Sequence, residues 1–166
     1  MKNTAKQFLA ELEQEAKTTR QLLAVVPFEK KDFKPHPKSM SLERLAIHVA
    51  EMNDWWVNTL SESGLDFASH RPEPVTINSN KDLLAYFDNT LEKAKAALLN
   101  AGDKDFDEGW TLRNGEQIYF TLPKAAVLRT WCLNHVFHHR GQLSVYLRLL
   151  DVPLPSIYGP TADMQG

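Results

Sequence analysis

Four stretches of this 166-residue chain repeat apolar residues at intervals of three and four, the spacing that gathers side chains on one face of a helix. Residues 4–26 do so with Phe8, Leu9, Leu12, Ala16, Thr19, Leu22, Leu23 and Val26, separated by Lys, Glu and Gln. A second stretch, capped by Ser39 or Ser41, runs through Leu42, Leu45, Val49, Met52, Trp55, Trp56 and Leu60. The third starts at Ser79 or Asn80, repeats Leu83, Leu84, Phe87, Leu91, Ala94 and Leu98, and meets Gly102, where a helix commonly stops. The fourth carries Pro123 in its first turn and extends to about Leu150, ahead of Pro153 and Pro155. Four such helices bury their apolar faces most economically as an all-α four-helix bundle.

Two connections are long. The segment SGLDFASHRPEPVTIN has no sustained period and reads as a crossover, and FDEGWTLRNGEQIYF carries Asn114-Gly115, a two-residue hairpin signal. The expectation there is a small hairpin or an extended loop before the last helix. No internal repeat, low-complexity tract or domain boundary interrupts the chain, so residues 1–166 read as a single domain. With 43% apolar residues, it can bury roughly 70% of its unfolded surface and needs no covalent staples.

Charge and cysteine usage narrow the function classes. Nineteen basic against 21 acidic residues, and no recognition motif, give no reason to expect nucleic acid. The longest aliphatic stretch, Leu22 to Phe28, is broken by Pro27 and is too short for a bilayer. The N-terminal residues lack the apolar run of a secretion signal, so the expected location is the cytoplasm. Cys132 alone excludes an intramolecular disulfide, and its place on the apolar face reads as a packed, inert thiol.

Histidine carries the chemical signal: three of the six fall within Asn134-His135-Val136-Phe137-His138-His139. On a helix His135 and His139 lie about 40° apart and one turn removed, so both rings can address one point. Leu128, Cys132, Gln142 and Tyr146 share that sector, while Arg140 and Arg148 project away from it. His138 flanks the pair. An H-x-x-x-H pair suits zinc, nickel, iron or copper, and a bundle takes its remaining ligand from a facing helix. His48 is the only other histidine in the middle of an apolar helical face; His36 and His70 lie in polar connections. The competing reading makes each of them a core histidine with ordinary hydrogen bonds. Val136 stands where a metalloprotease would place its Glu, and there is no Gly-x-Ser-x-Gly, phosphate-loop or dinucleotide pattern.

Leu45-x-x-His48 followed by Trp55-Trp56, then His135-x-x-His138-His139-Arg140-Gly141-Gln142-Leu143, Tyr146-Leu147-Arg148 and Pro155-x-x-Tyr158-Gly159, resemble the DinB-like family of metal-binding four-helix bundles. The motifs span essentially the whole chain. The resemblance implies an up-down-down-up bundle and a divalent-metal site made by His48, His135 and His139, with nickel or zinc as the usual ion and solvent completing the sphere. It also implies a homodimer. The family includes bacillithiol-dependent transferases, mycothiol-dependent maleylpyruvate isomerases, and many proteins associated with stress or DNA damage.

The functional expectation is therefore a metal-dependent enzyme acting on a small thiol or related small molecule, as a transferase, isomerase or hydrolase. The alternative is a non-catalytic metal-binding protein of the stress response. No catalytic base is assigned. His138 reads as making a structural or outer hydrogen bond, and Glu51, one turn after His48, as an exposed helical Glu.

Overall fold

The computed structural model describes residues 4–71 and 75–164. Its elements are α1 (Thr4–Ala24), α2 (Leu42–Glu51), α3 (Asp54–Ser61), β1 (Gly64–Asp66), α4 (Asn80–Asn100), β2 (Gly109–Asn114), β3 (Gln117–Pro123), α5 (Lys124–Val127) and α6 (Asn134–Leu149). A π-helical segment, Leu128–Leu133, joins α5 to α6, so the three form the last long helix of a four-helix bundle.

Cross-helix pairs fix the directions. Arg20 meets Asp88 and Glu13 meets Lys95, so α1 and α4 are antiparallel. Glu11 meets Arg129 and Glu15 meets Arg140, so the last helix runs parallel to α1. Tyr146 donates to the Met40 carbonyl while His48 faces His135 and His139, so α2 opposes α6. Leu42 shares a core cluster with Leu83, and Trp56 shares another with Ala94 and Leu98, so α2 and α3 run with α4. The order is up-down-down-up, with the long crossover between the two parallel helices.

The second helix is broken where its periodicity predicts continuity. Ser41 caps α2 by accepting from the Arg44 amide, but Met52 and Asn53 form a turn and the helix restarts at Asp54. Buried Thr90 explains the break: its hydroxyl lies 2.8 Å from the Ala50 carbonyl, and Asn53 Nδ2 donates to Thr90 Oγ1 at 3.2 Å. A side chain from α4 thus takes a carbonyl that the helix would have used.

The connections form a three-stranded sheet in the order β1-β2-β3, which extends the expected hairpin by one strand. β1, inside the segment expected to be irregular, pairs parallel with β2. Gly64 permits this approach, because a Cβ there would stand 2.3 Å from the Thr111 carbonyl oxygen. The hairpin turn also sits one residue later than the Asn114-Gly115 signal suggests. Asn114 pairs with Gln117, and Gly115 takes φ 60° beside Glu116 as the first central residue. Under the sheet, Leu65, Trp110, Leu112 and Val127 form a small core of their own, with Trp55 and Trp131 packed against it.

Candidate metal centre

Three histidines from two facing helices converge beside this small core. His48 comes from α2, and His135 and His139 from successive turns of α6; their ligand nitrogens all lie within 4.8 Å of one another. His139 Nε2 and His135 Nε2 are 3.0 Å apart. The trio is half-buried to buried, and His138 is exposed with its ring 4.8 Å from that of His139. His36 stays in its turn, where Nδ1 accepts from the Lys38 amide.

The outer ring nitrogens decide the tautomers. His48 Nδ1 donates to Glu51 Oε1 at 2.6 Å, and His139 Nδ1 donates to Gln142 Oε1 at 2.7 Å. With those Nδ1 protons engaged outward, the Nε2 atoms of the two rings are left to face the cluster. Each partner stands three residues after its histidine, the spacing that places side chains together on a helix. This repeated offset in His48-x-x-Glu51 and His139-x-x-Gln142 is a signal that inspection of the histidines alone passes over. Glu51 is accordingly not an exposed helical Glu. Its burial raises the carboxyl pKa, but the His48 hydrogen bond and the nearby Arg44 charge outweigh that and hold it below the usual range. It is an ionised acceptor, bonded also by Arg44 at 3.0 Å.

The π-helical turn sets the position of His135. A π turn holds an extra residue, so the 100° count carried back from His139 fails beyond Asn134. Trp131, not Cys132, stands against His135, with ring centroids 5.1 Å apart. Cys132 belongs to a different core cluster, where burial pushes its thiol up to about 12 and makes it inert. His135 Nδ1 is buried without a hydrogen bond of normal geometry among the described residues, although the Trp131 backbone lies close enough to favour its proton.

Burial, then the nearby His139 and His48, push His135 down to about 4, and burial lowers His139 as well. Both rings are neutral donors at neutral pH, which is the form a metal ion requires. The same depression makes the metal-free protein acid-sensitive. An unfolded histidine takes its proton near pH 6.5, whereas folded His135 resists protonation until about 4. The unfolded state therefore binds more protons between those limits, and stability falls as pH drops through the window. Thermal melts of chelated protein should lose roughly 2 kcal/mol between pH 7 and 4.5, allowing for the ring's partial exposure. A flat profile would contradict this assignment.

A cavity of about 630 Å³ opens beside His48. Trp55, Leu65, Phe67, Val75 and Tyr86 give it apolar walls, and Arg44, Glu51, Asp54 and Asn58 bring polar groups to it. His70, read from sequence only as part of a polar connection, also lines it. A volume of this size suits a small organic ligand.

The DinB family model matches residues 1–165. The chain belongs to the DinB family. Solved structures of similar proteins agree with the bundle described above. A DinB-like protein from Bacillus subtilis is 23% identical, with 91% of this chain and 97% of that one covered and a TM-score of 0.70. One from Bacillus cereus is also 23% identical, over 92% and 97%, with a TM-score of 0.71. A putative DinB-family member from Exiguobacterium sibiricum is 20% identical, covers 99% of both chains and has a TM-score of 0.67. At these identities the likeness establishes the shared fold. No curated protein matches the chain. No helix among the described residues of this DinB-family chain is long and apolar enough to cross a membrane.

Proposed function

We propose that this DinB-family protein binds one divalent metal ion through His48, His135 and His139 and uses it on a small thiol or related small molecule. The observation that carries the reading is the convergence of three histidine nitrogens within 4.8 Å beside a 630 Å³ cavity that His48 itself lines. Nickel and zinc are the proposed ions, since an all-imidazole donor set suits borderline metals. When bound, such an ion supplies a Lewis acid that lowers the pKa of a coordinated thiol or water and polarises a carbonyl.

The protein's own residues do the rest. Glu51 and Gln142 hold two of the rings in the tautomer that presents Nε2, and Trp131 packs against the third. Arg44 keeps the Glu51 carboxylate in place. Trp55 and Tyr86 shape the space in which substrate lies. Three protein ligands leave coordination positions open, which favours catalysis over a closed structural or sensing site. Turnover of wild type should be compared with that of folded His135→Ala over a panel of thiols and electrophiles. Transferase, isomerase or hydrolase activity confined to wild type is expected, and equal rates would overturn metal-centred catalysis.

Homodimerisation is part of the same proposal. It draws on family resemblance and on Val145 and Leu149, which sit one turn apart on α6 and are 57% and 55% exposed. A twofold arrangement is the usual closed assembly. Light scattering should report about twice the 18.9 kDa chain mass; a monomer at all concentrations would refute it.

A further inference from the structure

The cavity beside His48 is walled by aromatic rings from three parts of the fold. Trp55 comes from α3, Tyr86 from α4 and Phe67 from the crossover that follows β1. Trp55 packs at a steep angle on Trp131, ring centroids 5.5 Å apart, and Trp131 is itself packed against Phe120 and His135. That indole is therefore in place before any ligand arrives. Phe67 is held differently. It is exposed, so no core demands a phenyl ring there, yet its backbone is pinned. Its amide donates to the Arg113 carbonyl at 3.0 Å, and the neighbouring Asp66 Oδ1 accepts from the Ala68 and Gly115 amides, each at 2.9 Å. Exposed Tyr119 of β3 stands beside it, ring centroids 6.2 Å apart. Apolar side chains held in water around a concave surface mark a ligand groove.

The polar groups on the wall, by contrast, are engaged with one another or enclosed. Both Arg44 Nη atoms donate to Glu51 Oε1, to which His48 Nδ1 also donates. The Tyr86 hydroxyl donates to Asp54 Oδ2 at 3.4 Å, and Asn58 Oδ1 is shut off from solvent. What the cavity offers a ligand is chiefly ring surface, with the aliphatic side chains of Leu65 and Val75. Ring-on-ring contact is worth more than the apolar area it buries, so walls of this kind select a flat aromatic ligand over an aliphatic one of the same size.

We propose that the cavity binds a small molecule with a flat aromatic body, its ring lying among Trp55, Phe67 and Tyr86. This deepens the functional reading above and rests on it only in treating the cavity as the substrate's seat. None of the three residues belongs to the histidine cluster.

The probe is 2-naphthol, compared with its saturated counterpart decahydro-2-naphthol by ligand-observed NMR titration of the whole chain after chelation. Chelation removes coordination by the hydroxyl from the comparison. Selection by apolar area alone would hold the saturated alcohol at least as well, because hydrogenation removes no carbon. Instead, 2-naphthol should bind at least about threefold more tightly, the share that ring-on-ring contact adds to area. A Phe67→Leu, Tyr86→Leu double variant keeps the walls apolar and removes two rings. It should lose the preference while keeping wild-type metal content and its hold on the saturated alcohol. Where the double variant does not fold, Phe67→Leu alone, at its exposed position, should lower the preference. Equal or tighter binding of the saturated alcohol by wild type would overturn the proposal. So would an undiminished preference in the folded variant, or failure of wild type to bind 2-naphthol. A protein that shows the aromatic preference but takes up no metal would retain this inference and lose the metal reading. One that takes up metal but shows no aromatic preference would retain the metal reading and lose this inference.

Discussion

Replacing His135 with alanine is expected to lower affinity for nickel or zinc by more than about 100-fold, beyond the 10- to 100-fold typical of losing an outer hydrogen-bond partner. The substitution removes one of three nitrogens and leaves His48 and His139 on opposite helices with too few donors to hold a borderline ion. His138→Ala should change affinity little, because that ring is exposed and outside the converging set. Glu51→Gln and Gln142→Ala should fall between them, since each loosens the hold on a ring and keeps its nitrogen. Competition titration against a chromophoric chelator gives all four values. Equal losses in His135→Ala and His138→Ala would contradict the ranking.

The largest expected effect on stability lies on the opposite face of the same helix. Arg140 is 2% exposed and ties α6 to α1 and to the C-terminal segment. Its guanidinium donates to Thr18 Oγ1 at 2.8 Å, Thr19 Oγ1 at 3.0 Å and Glu15 Oε2 at 2.7 Å, and it meets the Tyr158 hydroxyl. Arg140→Leu leaves Glu15 enclosed without its cation and two threonines without a donor. The expected cost is about 3–5 kcal/mol. Adding Glu15→Leu should restore part of this loss, because removing both charges also removes the burial penalty. Urea unfolding of the four variants measures the coupling; an Arg140→Leu cost below about 1 kcal/mol would show the network to be marginal.

Arg140 also marks the limit of what helical counting reads from this chain. The count places it away from the histidines, and the structure agrees, but sequence alone makes such an arginine a solvated residue. Its burial depends on Glu15, Thr18 and Thr19 meeting it from 121 to 125 positions away. The bundle itself, by contrast, is readable because each long helix repeats its apolar residues locally. The breaks are not: Thr90 interrupts the second helix from outside it, and the π turn at Leu128–Leu133 rotates the face on which a regular count places Cys132. β1 escapes because a three-residue strand has too little period to detect, and its partner lies more than 40 residues on. Within the site, i,i+4 spacing is enough to pair His135 with His139. The choice of His48 over His36 and His70 needs only its place on an apolar face. The cavity, with Asp54, Asn58 and His70 on its wall, is a product of tertiary packing between α2, α3, α4 and the crossover.

The central claim is that three histidines hold one ion, and element analysis of tag-free protein tests it most directly. Wild type, after nickel or zinc loading and exhaustive removal of free metal, should retain about one ion per chain. The His48→Ala, His135→Ala, His139→Ala triple variant, shown to be folded by circular dichroism, should retain none. Equal metal content in the two proteins would contradict the account.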